Sequence, residues 1–139
     1  VFLMLKGREA IKKEISNCQE KLSRFSIRPR LFRPPVGITN PHLRPILDQL
    51  GLSCVGFSCR PRDFGNRRLN KIAIRVLTKI RNGDILLLHD CEPGSADEID
   101  LWLTQLSEIL DGLKKRKIRV MPLSQLIDQP VMDKLEGER

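Results

Sequence analysis

Apolar residues fall into stripes and runs that alternate along the chain. Ile11, Ile15, Cys18, Leu22 and Phe25 recur every three or four positions, with Lys12, Lys13, Glu14, Gln19, Glu20 and Lys21 between them. That period predicts an amphipathic helix over about residues 8–24, stopped by Arg28-Pro29. Leu31-Phe32 reads as a short strand entering the stiff loop Arg33-Pro34-Pro35-Val36-Gly37. Asn40 is placed to cap a helix with Pro41 at its first position, a buried face of Leu43, Ile46, Leu47 and Leu50, and Gly51 to end it. Residues 53–58 read as a buried strand. Residues 59–66 form an arginine-rich loop holding Asp63-Phe64-Gly65.

The same alternation continues downstream. Leu69, Ile72, Ala73, Val76, Leu77 and Ile80 make another helical stripe, closed by Asn82-Gly83. Four consecutive aliphatics at 85–88 carry the mark of a strand covered on both faces, ending at His89-Asp90. Ser95-Ala96-Asp97-Glu98 is a capping box before Ile99, Trp102, Leu103, Leu106, Leu110 and Leu113. Residues 118–121 read as a further strand, Ser124 as the cap of a last short helix, and the polar tail after Pro130 is expected to fray. Helix and strand in turn predict an α/β fold, parallel strands with helices packed outside them.

Composition adds limits to this picture. The chain has 139 residues, enough for one domain or a large piece of one. Apolar residues make up 40% and charged residues 30%, a globular balance. With five Phe, one Trp and no Tyr, the core is expected to be aliphatic. The net charge of +8 gathers at Lys12-Lys13 and in residues 28–33, 60–68 and 114–119. Such a surface attracts anionic partners, with nucleic acid, anionic lipid and acidic polymers all qualifying. Solvated helix and loop faces rank ahead of all three. Nucleic acid is disfavoured because no binding motif or interleaved aromatic platform accompanies the charge. Cys18, Cys54, Cys59 and Cys91 form no C-x-x-C pair, and two histidines are too few for a zinc finger, so buried reduced thiols are expected. The opening Val-Phe-Leu-Met-Leu is too short for a signal-peptide core or a membrane span, and the missing initiator Met points to a cut or processed start. Location is not determined.

Candidate chemistry follows from the strand order. In parallel α/β folds functional groups gather at the carboxyl ends of strands. Arg33 follows the first strand, Asp63 lies in the loop after the second, and His89 ends the third. Imidazole changes protonation nearest neutral pH, which suits His89 to proton transfer; the plainer alternative is a histidine that merely caps a strand. Arg33 is either an orienting guanidinium on a proline-stiffened support or an ordinary surface arginine. Asp63 is placed to orient Arg33 or His89, or else to make an Asx turn. A backbone N–H beside Gly37 is a candidate oxyanion donor.

These motifs resemble the polysaccharide deacetylase family, the NodB-type or carbohydrate esterase family 4 domain. Leu31-Phe32-Arg33-Pro34-Pro35-Val36-Gly37 is similar to its Arg-Pro-Pro-Tyr/Phe-Gly motif, Asp63-Phe64 to its Asp-Trp motif, and residues 86–90 to its Leu-x-Leu-His-Asp motif. The segment 118–124 resembles the strand after the last long helix. The resemblance runs from about residue 8 to about residue 128, and the order of the motifs is more specific than any one of them. It implies that His89 is the general acid for the leaving amine, that Asp63 tunes it, and that Leu87 lines the pocket for the acetyl methyl. It also implies that Arg33 orients the catalytic base and that the Val36 N–H holds the oxyanion. Phe64 stands where the family has Trp, and Val36 replaces an aromatic.

The resemblance further implies an irregular (β/α) barrel, an acetylated amino-sugar polymer as substrate, and a divalent metal such as zinc in the intact family. The family's two metal-ligand motifs should precede residue 8 and are not in this sequence. The chain is therefore expected to be the C-terminal part of such a domain, to hold no cofactor itself and to be inactive alone. Four strands cannot close a barrel, so self-association through an exposed sheet edge is expected. The alternative is a non-catalytic basic module that binds itself or a partner.

Overall fold

A computed structural model describes residues 3–91 and 94–134. The chain divides into two compact units, Val1–Gly56 with Pro122–Arg139, and Phe57–Met121.

The first unit is built on α1 (Arg8–Ser23), which buries Ile11 and Ile15. They pack with Leu52 and with Leu43, Ile46 and Leu47 of α2 (Leu43–Gln49). Strand β1 (Ile27–Pro29) follows α1, and β2 (Leu31–Phe32) leads to the Arg-Pro-Pro loop. Strand β2 pairs in parallel with β3 (Ser53–Cys54), Leu31 opposite Ser53 and Phe32 opposite Cys54. Regular helix begins at Leu43, later than Pro41, although Asn40 Oδ1 does accept the His42 N–H at 3.0 Å. The short helix α5 (Leu123–Leu126) starts after Pro122, so Ser124 lies inside it rather than capping it.

Two further expectations are corrected here. The strand read at 53–58 is cut to two residues. Beyond Pro130 the chain does not simply fray: β4 (Met132–Lys134) pairs antiparallel with β1. Arg30 Nε fixes that register by bonding both Asp133 oxygens at 2.9 Å.

The second unit packs α3 (Ile72–Leu77) against α4 (Ala96–Lys115). Its core joins Cys59, Leu69, Ile72, Ala73, Val76, Ile80, Ile109 and Leu113. Ser95 caps α4 as the capping box predicts, and Arg116 closes α3 by donating to the carbonyls of Leu77 and Ile80. Residues 85–88 make a single parallel bridge, Leu86 with Cys59, instead of a long ladder. Leu86 and Leu88 pack on the core and Leu87 is half-buried between them, so this run is not covered on both faces. Residues 118–121 form no strand.

The alternating order is thus correct in kind, but the pairings are short and one is antiparallel. No continuous four-stranded parallel sheet and no closed barrel occur among the described residues. No described helix is long and apolar enough to cross a membrane. All four cysteines are free, and only Cys59 is buried, against the expectation of four buried thiols.

Candidate active site

The loop after Cys59 carries an unusual backbone. Arg62, Phe64, Asn66 and Lys71 all have positive φ, at 57°, 52°, 64° and 62°. Non-glycine residues rarely adopt this conformation, and several in one loop mark a segment held in shape by its surroundings. Arg75 of α3 supplies much of that hold: its guanidinium donates to the carbonyls of Pro61, Arg68 and Asn70 at 2.8, 2.7 and 2.5 Å. The Arg68 N–H also bonds the Asp63 carbonyl at 3.0 Å.

The loop thereby drives the Asp63 side chain inward, where it is 2% exposed. Ile72, Leu88, Trp102, Gln105, Leu106 and Ile109 surround it, with a gap of only about 10 Å³. A carboxylate in such a place needs a strong donor. His89 provides it, its Nδ1 lying 2.8 and 2.9 Å from the two Asp63 oxygens. A carboxylate only accepts, so Nδ1–H is the donor. Nε2 is then the nitrogen left for other work, on a ring that is 37% exposed.

His89 is positioned by the bridge just before it. Leu87 N–H donates to the Cys59 carbonyl at 2.9 Å, and Ser58 and Cys59 N–H donate to the Ile85 carbonyl. Ser58 Oγ bonds Asp84 Oδ1 at 2.6 Å and accepts from Ile85 N–H at 3.0 Å. The Ser58 hydroxyl and the Arg81 backbone N–H hold the Asp84 carboxyl below its usual range. Behind the dyad, Asn66 Nδ2 donates to the carbonyls of His89 and Cys91, tying the loop to the segment after the bridge. The sequence reading missed Asn66, Arg75 and Ser58. Only their place near Asp63 and His89 in the chain pointed to them.

Asp63, Phe64, Leu87 and His89 all belong to the second unit. Phe64 is exposed, with the Arg68 guanidinium 5.7 Å from its ring centroid. Arg33 and Val36 belong to the first unit. Arg33 is exposed and borders an apolar cleft with Leu31, Phe32, Cys18 and Leu52. Val36 sits in a 3-10 turn over Pro35–Gly37 with φ 52° and is also exposed.

No protein-family model matches the chain. Two curated relatives do. It is 30% identical over 127 residues to a chitooligosaccharide deacetylase of Azorhizobium caulinodans, covering 83% of this chain and 59% of the relative. It is 31% identical over 121 residues to a peptidoglycan-N-acetylglucosamine deacetylase of Bacillus cereus, covering 86% and 55%. Among solved structures it matches a family 4 carbohydrate esterase from Streptomyces lividans with a TM-score of 0.65 and 26% identity, over 84% of this chain and 57% of that one. The chain belongs to the polysaccharide deacetylase family. It spans little more than half the length of these relatives.

Family 4 deacetylases are generally metal-dependent. The residues described here do not fit a metal centre: no group of three or more His, Cys, Asp or Glu is placed to share an ion among them. His89 already engages Asp63 through Nδ1, and the other histidine, His42, stands at the start of α2 in the first unit.

Proposed function

We propose that this chain carries the proton-donating half of a polysaccharide deacetylase site, acting on N-acetyl groups of amino sugars. The observation behind it is the buried Asp63 carboxylate on Nδ1 of a half-exposed His89. In that arrangement Nε2 of the protonated ring hands its proton to the amine nitrogen as the carbon–nitrogen bond breaks, and Asp63 stabilises the imidazolium. The resemblance adds Leu87 to the acetyl pocket and Phe64 to the groove wall. For Arg33 and Val36 the reading rests on the Arg-Pro-Pro motif alone.

Within this reading the chain corresponds to the part of a deacetylase domain that bears the Arg-Pro-Pro, Asp and His motifs, and it is inactive by itself. The parallel pairings of β2 with β3 and of Cys59 with Leu86 support kinship with a (β/α) barrel. Self-association through an open sheet edge belongs to the same proposal, and a non-catalytic, self-associating basic module is the competing one.

Nuclear magnetic resonance of the whole chain tests the reading. Titration with acetylated chito-oligosaccharide should shift the resonances of His89, Leu87 and Phe64. A zinc titration by calorimetry should show no tight uptake. Shifts confined to other surfaces, or none, would contradict the assignment of this site.

A further inference from the structure

We infer that the second unit also carries a binding cleft for an acidic glycan. The loop that buries Asp63 and the first turn of α3 line a cleft of about 780 Å³. Five arginines and two lysines border it, against the single acid Glu98. None of the seven takes part in an ion pair among the described residues. Arg75 is committed to backbone carbonyls, and Arg60 and Arg68 lie over the rings of Phe57 and Phe64. Arg62, Arg67, Lys71 and Lys79 remain, all exposed. Like charges set around one concavity repel each other and raise the local concentration of anions.

Asn66 supplies the second, independent observation. It borders the cleft and is 4% exposed. Its Nδ2 donates to two carbonyls, which fixes the amide orientation, yet its buried Oδ1 has no donor. An unsatisfied buried acceptor is costly, and a ligand hydroxyl relieves it. Several anionic groups together with hydroxyl donors describe a saccharide bearing carboxylates or phosphates. No aromatic side chain lines the cleft, so it lacks the stacking platform of a single-strand nucleic-acid site.

This cleft goes beyond the deacetylase reading, because its binding does not use the His89 ring. Calorimetry on the whole chain tests it with oligogalacturonate, poly(glycerol phosphate), neutral chito-oligosaccharide and a short single-stranded DNA. One or both acidic polymers should bind more tightly than the neutral one, and the preferred polymer identifies the anion. Affinity should fall with salt and drop about tenfold or more in Arg67→Glu/Lys79→Glu, since each charge-assisted bond lost is worth roughly that factor. The milder Arg67→Gln/Lys79→Gln should give a smaller loss in the same direction, and His89→Gln should bind as the parent does. Acidic polymers binding no better than the neutral one, DNA binding more tightly, undiminished affinity in the charge variants, or loss in His89→Gln would each overturn the proposal. Failure of the neutral oligosaccharide to reach His89 bears only on the deacetylase reading.

Discussion

At the scale of single residues, the second unit is organised around one costly decision, the burial of the Asp63 carboxylate. Its two oxygens lie against one imidazole nitrogen, and aliphatic and aromatic carbon closes the rest. Removing the donor leaves the carboxylate unsatisfied in a dry setting. His89→Leu should therefore lower stability by about 1–3 kcal/mol, the cost of a buried acceptor that loses its partner. The double variant Asp63→Leu/His89→Leu should lose less than the sum of the two single changes, because the two side chains act as a unit. Urea denaturation of the four proteins measures this, and simple additivity would argue against coupling.

At the scale of elements, the helices were far more legible than the strands. Helix α1 starts at the expected residue and ends one short, because its stripe is continuous and Arg28-Pro29 follows. Helix α4 was marked by its capping box. Strands were overread because a run such as 85–88 records apolar character, whereas a ladder needs a partner of matching length. The β1–β4 pair was invisible for a different reason: it joins segments about a hundred residues apart, through an Arg30–Asp133 contact that no local pattern encodes. Asp63 and His89 were both legible as candidates, while their direct bond was one of several open pairings.

Two predictions belong at this scale. Asp84, held below its usual range by Ser58 and Arg81, favours the folded state when ionised. That contribution is present above the ordinary carboxylate range, about pH 4, and is lost as pH falls through and below it. Thermal melts should show a steeper acid loss in the parent than in Asp84→Asn; identical pH profiles would count against the clamp. Gly112→Ala tests the α3–α4 contact. Alanine ordinarily favours a helix over glycine, but a Cβ here would collide with the Leu77 methyls. Overpacking should win and lower stability by about 1 kcal/mol, whereas a raised melting temperature would show that Leu77 yields.

At the scale of the whole molecule, the chain has the family's motif order but little more than half its relatives' length. Sheets of two strands are marginal by themselves and present open edges. Leu5, Phe25 and Ile38 in the first unit, and Ile74, Leu103 and Leu110 in the second, are exposed. Size-exclusion chromatography with light scattering should give a dimer or larger species, more so as salt screens the +8 charge. A clean monomer at every salt concentration would argue against self-association.

The claim beneath all of this is that Asp63 fixes the His89 ring with its proton on Nδ1. Long-range proton–nitrogen correlation spectra of the histidine side chains read that directly. The account predicts a neutral His89 with Nδ1 protonated and Nε2 bare, and loss of that preference in Asp63→Ala. A ring protonated on Nε2, or a spectrum unchanged by Asp63→Ala, would contradict it.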